Sequence, residues 1–241
     1  SALKAGNPIA ATQALLPTLK RFPGNARLLA ALAEVPAART GLPPKPIGPA
    51  HIQRLVGLRA QIPLPAIAEE VQVALLLDPN SVLGNAYFGG LLLELGNAEA
   101  AIPVLRLALS RVPDHPDAGA NLAFALWKCG MGTEAAEVAR NLLVKHPNLI
   151  SAKVALGLAL VEDGLPKRAA PAFQDLIRSV PANADFHYEL GRALYAAQDF
   201  TGAIAAFESA VALNPKQQHA LNELGNALMN AGAFDRAAAL F

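Results

Sequence analysis

Five histidines and one cysteine are the residues of this chain that could bind a metal ion or attack a substrate. The histidines are His51, His115, His146, His187 and His219. Metal sites draw on closely spaced ligands, and no histidine forms a close pair with another histidine or with Cys129. Cys129 stands beside Gly130, where a helix is expected to end, and no histidine has a motif relation to it. We therefore predict no metal site, no cysteine nucleophile and no cofactor.

Neither the glycines nor the carboxylates form a catalytic pattern. The phrases "FGG" and "LGNA" match neither the dinucleotide-binding motif nor the phosphate-loop motif, and no strand is expected before them. Carboxylates such as Glu94, Glu162 and Asp199 belong to helix surfaces or turns and form no acid–base pair. The sequence therefore predicts a protein without catalytic residues, which is not an enzyme.

The composition is that of a helical protein with a nearly neutral charge. Hydrophobic residues make up 53% of the 241 residues, and many of them are Ala and Leu, which are strong helix formers. A net charge of +1 gives no electrostatic reason to expect nucleic acid as a partner. No stretch is apolar over the length of a membrane span, and Ser1 leads into a helical pattern without the layout of a signal peptide. The compartment is weakly constrained, and the cytoplasm is the expectation.

A period of 34 residues organises most of the chain. Five prolines follow one another at that interval: Pro79, Pro113, Pro147, Pro181 and Pro215. The tenth residue after each proline is small, the thirteenth is leucine, and the twenty-second is alanine. The small residues are Gly89, Ala123, Gly157, Gly191 and Gly225. The seventeenth residue is glycine in every repeat except one, which has Gln198.

These landmarks predict pairs of helices. The proline ends one helix, because it cannot continue a helix interior, and the glycine closes the next helix in a left-handed conformation. The small residue and the alanine let two antiparallel helices approach closely, so Gly191→Leu should destabilise the fold by overpacking. Asp199→Ala, in a turn, should change little. Neither helix buries its apolar face alone, so the pairs must stack.

The repeated phrases resemble the tetratricopeptide repeat family. They are "FGGLL…GNAEAA", "LAFAL…GMGTEAA", "LGLAL…GLPKRAA", "LGRAL…QDFTGAI" and "LGNAL…GAFDRAA". The resemblance implies an all-α fold, an α-solenoid of stacked antiparallel helix pairs that forms a right-handed superhelix. One departure is the bulky residue that the family often has early in the first helix. Its place is taken by Asn85, Gly119, Lys153, His187 and Leu221.

The chain divides into four predicted segments. Residues 1–35 are a partial, degenerate repeat, residues 36–49 a proline-rich linker, and residues 50–79 a degenerate helix pair. Residues 80–241 are five tandem repeat units, of which the last is incomplete. The alternative is that the N-terminal part forms a separate helical module. Repeat arrays need polar caps, so we expect further residues or another chain to cover the apolar end at Phe241.

One stripe of the first helices is predicted to bind a partner. The resemblance implies that first helices line a concave surface, and residues seven, eleven and fourteen after each proline share one helix face. The predicted partner-binding residues are Phe124, Trp127, Leu158, Val161, Tyr188, Arg192, Tyr195, Asn222 and Asn226. The stripe begins apolar and ends polar, which favours a partner segment with apolar side chains at one end and hydrogen-bonding or acidic groups at the other. The competing interpretation is that neighbouring helices or the N-terminal segment cover the apolar part.

The resemblance and the stripe together predict a protein–protein interaction scaffold that binds a partner peptide or helix in a concave groove. Two alternatives stay open. The chain could be the substrate-recruiting repeat region of a larger bacterial glycosyl- or sulfotransferase-type enzyme, or it could be a self-association module. The linker between Pro36 and Pro49 is a further candidate occupant of the groove, since its extended geometry would let it lie there.

Overall fold

Twelve α-helices span residues 48–240, which are the residues that the computed structural model describes, apart from the side chains of Val73, Leu76 and Leu77. The first six helices are α1 Pro49–Leu58, α2 Leu64–Leu77, α3 Val82–Glu94, α4 Ala98–Arg111, α5 Pro116–Lys128 and α6 Gly132–Lys145. The last six are α7 Ile150–Glu162, α8 Pro166–Ser179, α9 Ala184–Ala196, α10 Phe200–Leu213, α11 Gln218–Asn230 and α12 Phe234–Ala238. These described residues contain no β-strand.

Some predictions fall outside this range. The partial repeat at residues 1–35, nearly all of the linker at residues 36–49, and Phe241 lie outside the described residues. Pro49, which the sequence places at the end of the linker, is the first residue of α1.

The chain forms two compact units, and the boundary between them falls within α5. Unit 1 is Ser1–Ala125 and unit 2 is Leu126–Phe241. In unit 1, α1, α2 and α3 share a core that includes Leu55, Val71 and Leu91. In unit 2, each helix from α6 to α12 packs against the next, and the turns between them are short. The fold is therefore all-α, an α-solenoid of stacked antiparallel helix pairs.

The residue that closes each first helix is in the left-handed region, as the repeat predicts. The φ angles are 77° for Gly96, 72° for Gly130, 69° for Gly164, 65° for Gln198 and 75° for Gly232. Glycine adopts this conformation at little cost, whereas a residue with a Cβ is strained in it. The five repeat prolines lie in the turns that precede the first helices. Both predictions are confirmed.

The small residue of the first helix is a point of close contact with the second helix. An ideal Cβ on the glycine would lie 2.4 Å from the facing side chain for Gly89–Leu105, 2.6 Å for Gly157–Phe173 and 2.5 Å for Gly191–Phe207. In these three repeats the facing residue, Leu105, Phe173 or Phe207, is fully buried. Any side chain at the glycine would collide with it, so the predicted role of the small residue is confirmed.

In two repeats, the residue at the position where the family often has a bulky side chain forms a hydrogen bond to the proline turn. The side-chain amide of Asn85 donates to the carbonyl oxygens of Pro79, at 2.9 Å, and Ser81, at 2.8 Å. Three repeats further on, Nε2 of His187 lies 2.9 Å from the carbonyl oxygen of Pro181 and donates to it. In both repeats a side-chain N–H therefore ties the start of the first helix to the proline turn.

Asp199 is a helix cap. Its Oδ1 accepts a hydrogen bond from the backbone N–H of Gly202 at 2.9 Å, at the start of α10. Removing such a cap costs about 1 kcal/mol, because an N–H at the helix start loses its partner. In place of the small effect expected from the repeat spacing, we therefore expect Asp199→Ala to lower the free energy of unfolding, because the turn contains a cap that the spacing does not reveal.

Candidate partner-binding face

The nine predicted binding residues divide between the two units. Phe124 belongs to unit 1, and the other eight belong to unit 2. Trp127 is near the end of α5, Leu158 and Val161 are on α7, Tyr188, Arg192 and Tyr195 are on α9, and Asn222 and Asn226 are on α11. The structure therefore places three of the predicted residues on α9 and two on α11, within one unit.

One residue of the apolar part of the stripe is covered. Leu158 is only 6% exposed, so it belongs to the core and offers no surface for a partner. Its prediction as an anchor does not hold, because its side chain is needed for packing. Val161 and Trp127 are half-buried, and Nζ of Lys128 lies 4.8 Å from the ring centroid of Trp127. The interpretation that neighbouring helices cover the apolar part thus applies to Leu158.

Two hydrogen bonds connect α11 and the turn before it to α9. Near the helix starts, Nε2 of Gln217 donates to Oδ1 of Asp185 at 3.0 Å. Near the helix ends, Nδ2 of Asn230 donates to the hydroxyl of Tyr195 at 2.8 Å. The surface between these bonds is called the α9–α11 face, and its residues are Tyr188, Glu189, Arg192, Tyr195, Asn222, Glu223, Asn226 and Met229. The bonds fix the two helices side by side and so hold the face in shape.

Arg192 is held by its neighbours on α9. Its Nη1 donates to Oε2 of Glu189 at 2.9 Å, and its guanidinium lies 6.0 Å from the ring centroid of Tyr188. The Tyr188 ring also packs against Phe207 of α10, with 5.9 Å between ring centroids. Tyr188 therefore connects the core to the surface, and its ring and the Glu189 carboxylate together hold a cation.

Burial and charge shift the pKa values of two groups on this face. Burial raises the pKa of the Glu189 carboxyl, an effect that Arg192 opposes and Asp185 reinforces. Burial also raises the pKa of Tyr188, while Arg192 acts to lower it and the carboxylates of Glu189 and Glu223 act to raise it. Glu223 of α11 therefore lies within electrostatic reach of Tyr188 on α9.

The partner-binding stripe predicted from the sequence does not include the two glutamates of the face. Glu189 and Glu223 are each the eighth residue after a repeat proline, while the predicted stripe took the seventh, eleventh and fourteenth. In the three earlier repeats the eighth residue is Tyr87, Asn121 or Ala155. A carboxylate that recurs only in the last two repeats was therefore a signal of a specialised surface. Met229, which is 52% exposed, also belongs to the face.

An open cavity of about 450 Å³ lies elsewhere in unit 2, between α8, α9 and α10. Its walls include Ile177, Arg178, His187 and Ala205. Arg178 forms an ion pair with Asp175 at 2.7 Å, and His187 is bonded to the proline turn. The α9–α11 face is the stronger candidate, because it presents the exposed side chains of Asn222, Asn226 and Met229 beside two tyrosines.

Metal binding and membrane insertion find no support in residues 48–240. This range contains no group of three or more His, Cys, Asp or Glu side chains placed to hold a metal ion. None of its helices combines the length and the apolar character that crossing a bilayer requires.

Family models match most of the repeat region. Two models, both described as tetratricopeptide repeat, match residues 92–158 for one and residues 154–217 and 190–241 for the other. Together the matches cover more than half of the chain. The chain belongs to the tetratricopeptide repeat family. Such repeats form stacked helix pairs whose surfaces bind other proteins, so the chain is of the protein-interaction scaffold kind.

Solved tetratricopeptide repeat structures have the same fold. MamA of Desulfovibrio magneticus, from its residue 41 to its end, is 24% identical with a TM-score of 0.61, and the match covers 66% of this chain and 90% of that one. TTC0263, a thermophilic TPR protein of Thermus thermophilus, is 23% identical with a TM-score of 0.56, over 66% and 88% of the two chains. No curated protein sequence gives a match. At these identities the likeness concerns the fold alone.

Proposed function

We propose that this tetratricopeptide repeat protein binds an extended or helical segment of a partner protein on the α9–α11 face. The observation that carries the proposal is that α11 presents exposed side chains beside the rings of Tyr188 and Tyr195, which are half-buried and pack against the core of unit 2. The core here comes from Phe207 together with Leu224 and Leu228 of α11. Asn222 and Asn226 of the same helix are exposed, and Met229 is 52% exposed.

Each residue has a role in this proposal. Tyr188 and Tyr195 are half-buried aromatic side chains, the kind that contributes most affinity at interfaces. Asn222 and Asn226 each carry a donor and an acceptor for the backbone of a partner segment. Asn230 keeps Tyr195 in place, since its amide bonds both the Tyr195 hydroxyl and the carbonyl oxygen of Asn226, at 2.8 and 2.9 Å.

The apolar residues before α9 have a smaller part. Trp127 and Val161 are half-buried and could extend the contact. Phe124, which lies in unit 1, stays a prediction of the sequence, and Leu158 is left out because it is buried.

Site-specific photo-crosslinking tests the proposal. A benzophenone amino acid is placed at Met229, which is on the face, or at Val144, which is 78% exposed on the second helix α6. In an extract of the native cells, we expect position 229 to cross-link to one or a few proteins and position 144 not to capture them. Equal capture at both positions, or none at 229, would contradict the proposal. A cross-link at 229 only to a second copy of the chain would instead indicate self-association.

A further inference from the structure

The charges of the α9–α11 face determine which partner segment it can accept. Glu189 of α9 and Glu223 of α11 lie on the face, and Asp185 lies at its edge, where it accepts the hydrogen bond from Gln217. Arg192 contributes one guanidinium to the same surface, and Glu189 already binds it at 2.9 Å. Resting on the proposed function, we infer that the partner segment is basic, with a Lys or Arg side chain that binds beside Glu223 and Tyr188.

The chain already shows how this face holds a cation. The guanidinium of Arg192 is in contact with a carboxylate, Glu189, and lies 6.0 Å from an aromatic ring, Tyr188. Glu223 occupies on α11 the position that Glu189 has on α9, the eighth after the repeat proline, and two hydrogen bonds hold α11 and the turn before it against α9. A second cation therefore finds a carboxylate on the α11 side, within electrostatic reach of Tyr188. A cation gains from both, because the carboxylate attracts its charge and the ring presents its negative face.

The sequence alone left hydrogen-bonding or acidic groups open for this end of the partner segment, and of these the acidic groups fit the face poorly. The cation that could attract an acidic group, Arg192, is bonded to Glu189. An acidic side chain would compete with Glu189 for Arg192 and would meet Glu223. Glu189 would repel an acidic side chain as well. Because the Glu189 side chain is only 18% exposed, solvent screens its repulsion less than it would screen the repulsion between fully exposed charges.

The face also sets the spacing of the partner's side chains. The glutamates are the eighth residues after their prolines, whereas Tyr195 and Met229 are the fourteenth. Six residues of an α-helix rise about 9 Å, which an extended chain covers with roughly three residues. The basic residue of an extended partner should therefore lie about three positions from an apolar residue that contacts Tyr195 and Met229. Asn222 and Asn226 can bond the backbone of the same segment.

Selection from a displayed library of random dodecapeptides tests the inference. The library is panned against the whole chain, against E189Q/E223Q, and against E99Q/E137Q, which makes the same charge change at exposed positions on the second helices α4 and α6. With the wild type and the control, we expect Lys and Arg to be enriched about twofold or more over the input, with an apolar residue about three positions away. E189Q/E223Q should lose the preference for basic residues.

A direct binding measurement accompanies the selection. The affinity of one selected peptide, followed by fluorescence anisotropy, should fall about tenfold for E189Q/E223Q and about tenfold when the basic residue of the peptide is changed to glutamine. The second comparison uses the wild-type protein, so it holds even if the variant folds poorly. E99Q/E137Q should bind the peptide as the wild type does.

The outcomes separate the inference from the proposed function. Selected peptides that are acidic or show no charge preference would overturn the basic partner segment, and the proposed function would stand. Equal enrichment of basic peptides by E189Q/E223Q would overturn the location on this face. If the library yields no binder at all, the inference fails, and the cross-linking at position 229 decides whether the proposed function fails with it.

Discussion

Gly191 shows how one missing side chain sets the distance between two helices. An ideal Cβ at this position would lie 2.5 Å from Cδ1 of Phe207, whose ring is fully buried between neighbouring elements. We therefore expect Gly191→Ala to lower the free energy of unfolding by about 1–3 kcal/mol through overpacking. Gly57→Ala adds the same Cβ where nothing lies within 4 Å of it, and should raise the free energy of unfolding slightly. Denaturant unfolding of both variants measures this, and equal destabilisation would contradict the contact.

Gln198 is a strained cap in the repeat. Its φ of 65° is the conformation that the equivalent glycines adopt, and a residue with a Cβ is less stable there by about 1–2 kcal/mol. Gln198→Gly should therefore raise the free energy of unfolding by about 0.5–1 kcal/mol, after the greater flexibility of glycine in the unfolded chain is allowed for. The reverse change, Gly164→Gln, should lower it. A lower melting temperature for Gln198→Gly would be against this account.

For single residues, the repeat spacing predicted which positions make close contacts but not which residues they contact. It identified Gly191 as a contact, because ten residues after every proline the side chain is small. It did not identify Phe207, since the residue that faces the glycine varies in size with the space available. Contacts such as the Asp199 cap or the bond from His187 to Pro181 depend on backbone geometry, which a period cannot show.

We expect binding at the α9–α11 face to depend on pH, because Glu189 is largely buried there. Burial raises the pKa of Glu189, so this carboxyl gains its proton above the ordinary glutamate value of about 4.3. A bound cation favours the ionised form of Glu189. The affinity for a basic peptide is therefore highest above the raised pKa of Glu189 and falls as the pH drops through it. The charged groups around this site are Asp185 and Arg192 of α9 and Glu223 of α11.

Anisotropy titrations between about pH 7.5 and about pH 4.5 test this dependence. Glu189→Gln should bind more weakly at neutral pH and should lose the part of the decline that lies above the ordinary glutamate range. Glu137→Gln, on the exposed surface of α6, should follow the wild-type curve. Identical curves for Glu189→Gln and the wild type would show that Glu189 takes no part.

At the scale of helices, the sequence predicted the pairs well and their exposed faces less well. The period placed the turns and the caps, because these follow from proline, glycine and leucine at fixed spacings. The exposed part of each first helix depends on how the next pair packs, which the spacing leaves open. Leu158 was therefore taken for surface although it is 6% exposed, and the glutamates at the eighth position were passed over.

Across the molecule, the last two repeats differ from the earlier ones in the side chains of their first helices. Family matches and fold establish a tetratricopeptide repeat scaffold, and the repeats differ mainly in the side chains that the core does not use. In the earlier repeats of unit 2 these positions are apolar and partly buried, whereas α9 and α11 present tyrosines, carboxylates and asparagines. Specificity is therefore expected to lie in the last two repeats.

NMR mapping of a bound peptide locates the binding surface on the chain. Backbone amide shifts of the isotope-labelled chain are compared before and after saturation with a peptide selected from the library. We expect the largest changes on α9 and α11, between Tyr188 and Tyr195 and between Asn222 and Met229. Changes concentrated instead around Ile177 and Arg178 of the α8–α10 cavity, or in unit 1, would contradict this expectation.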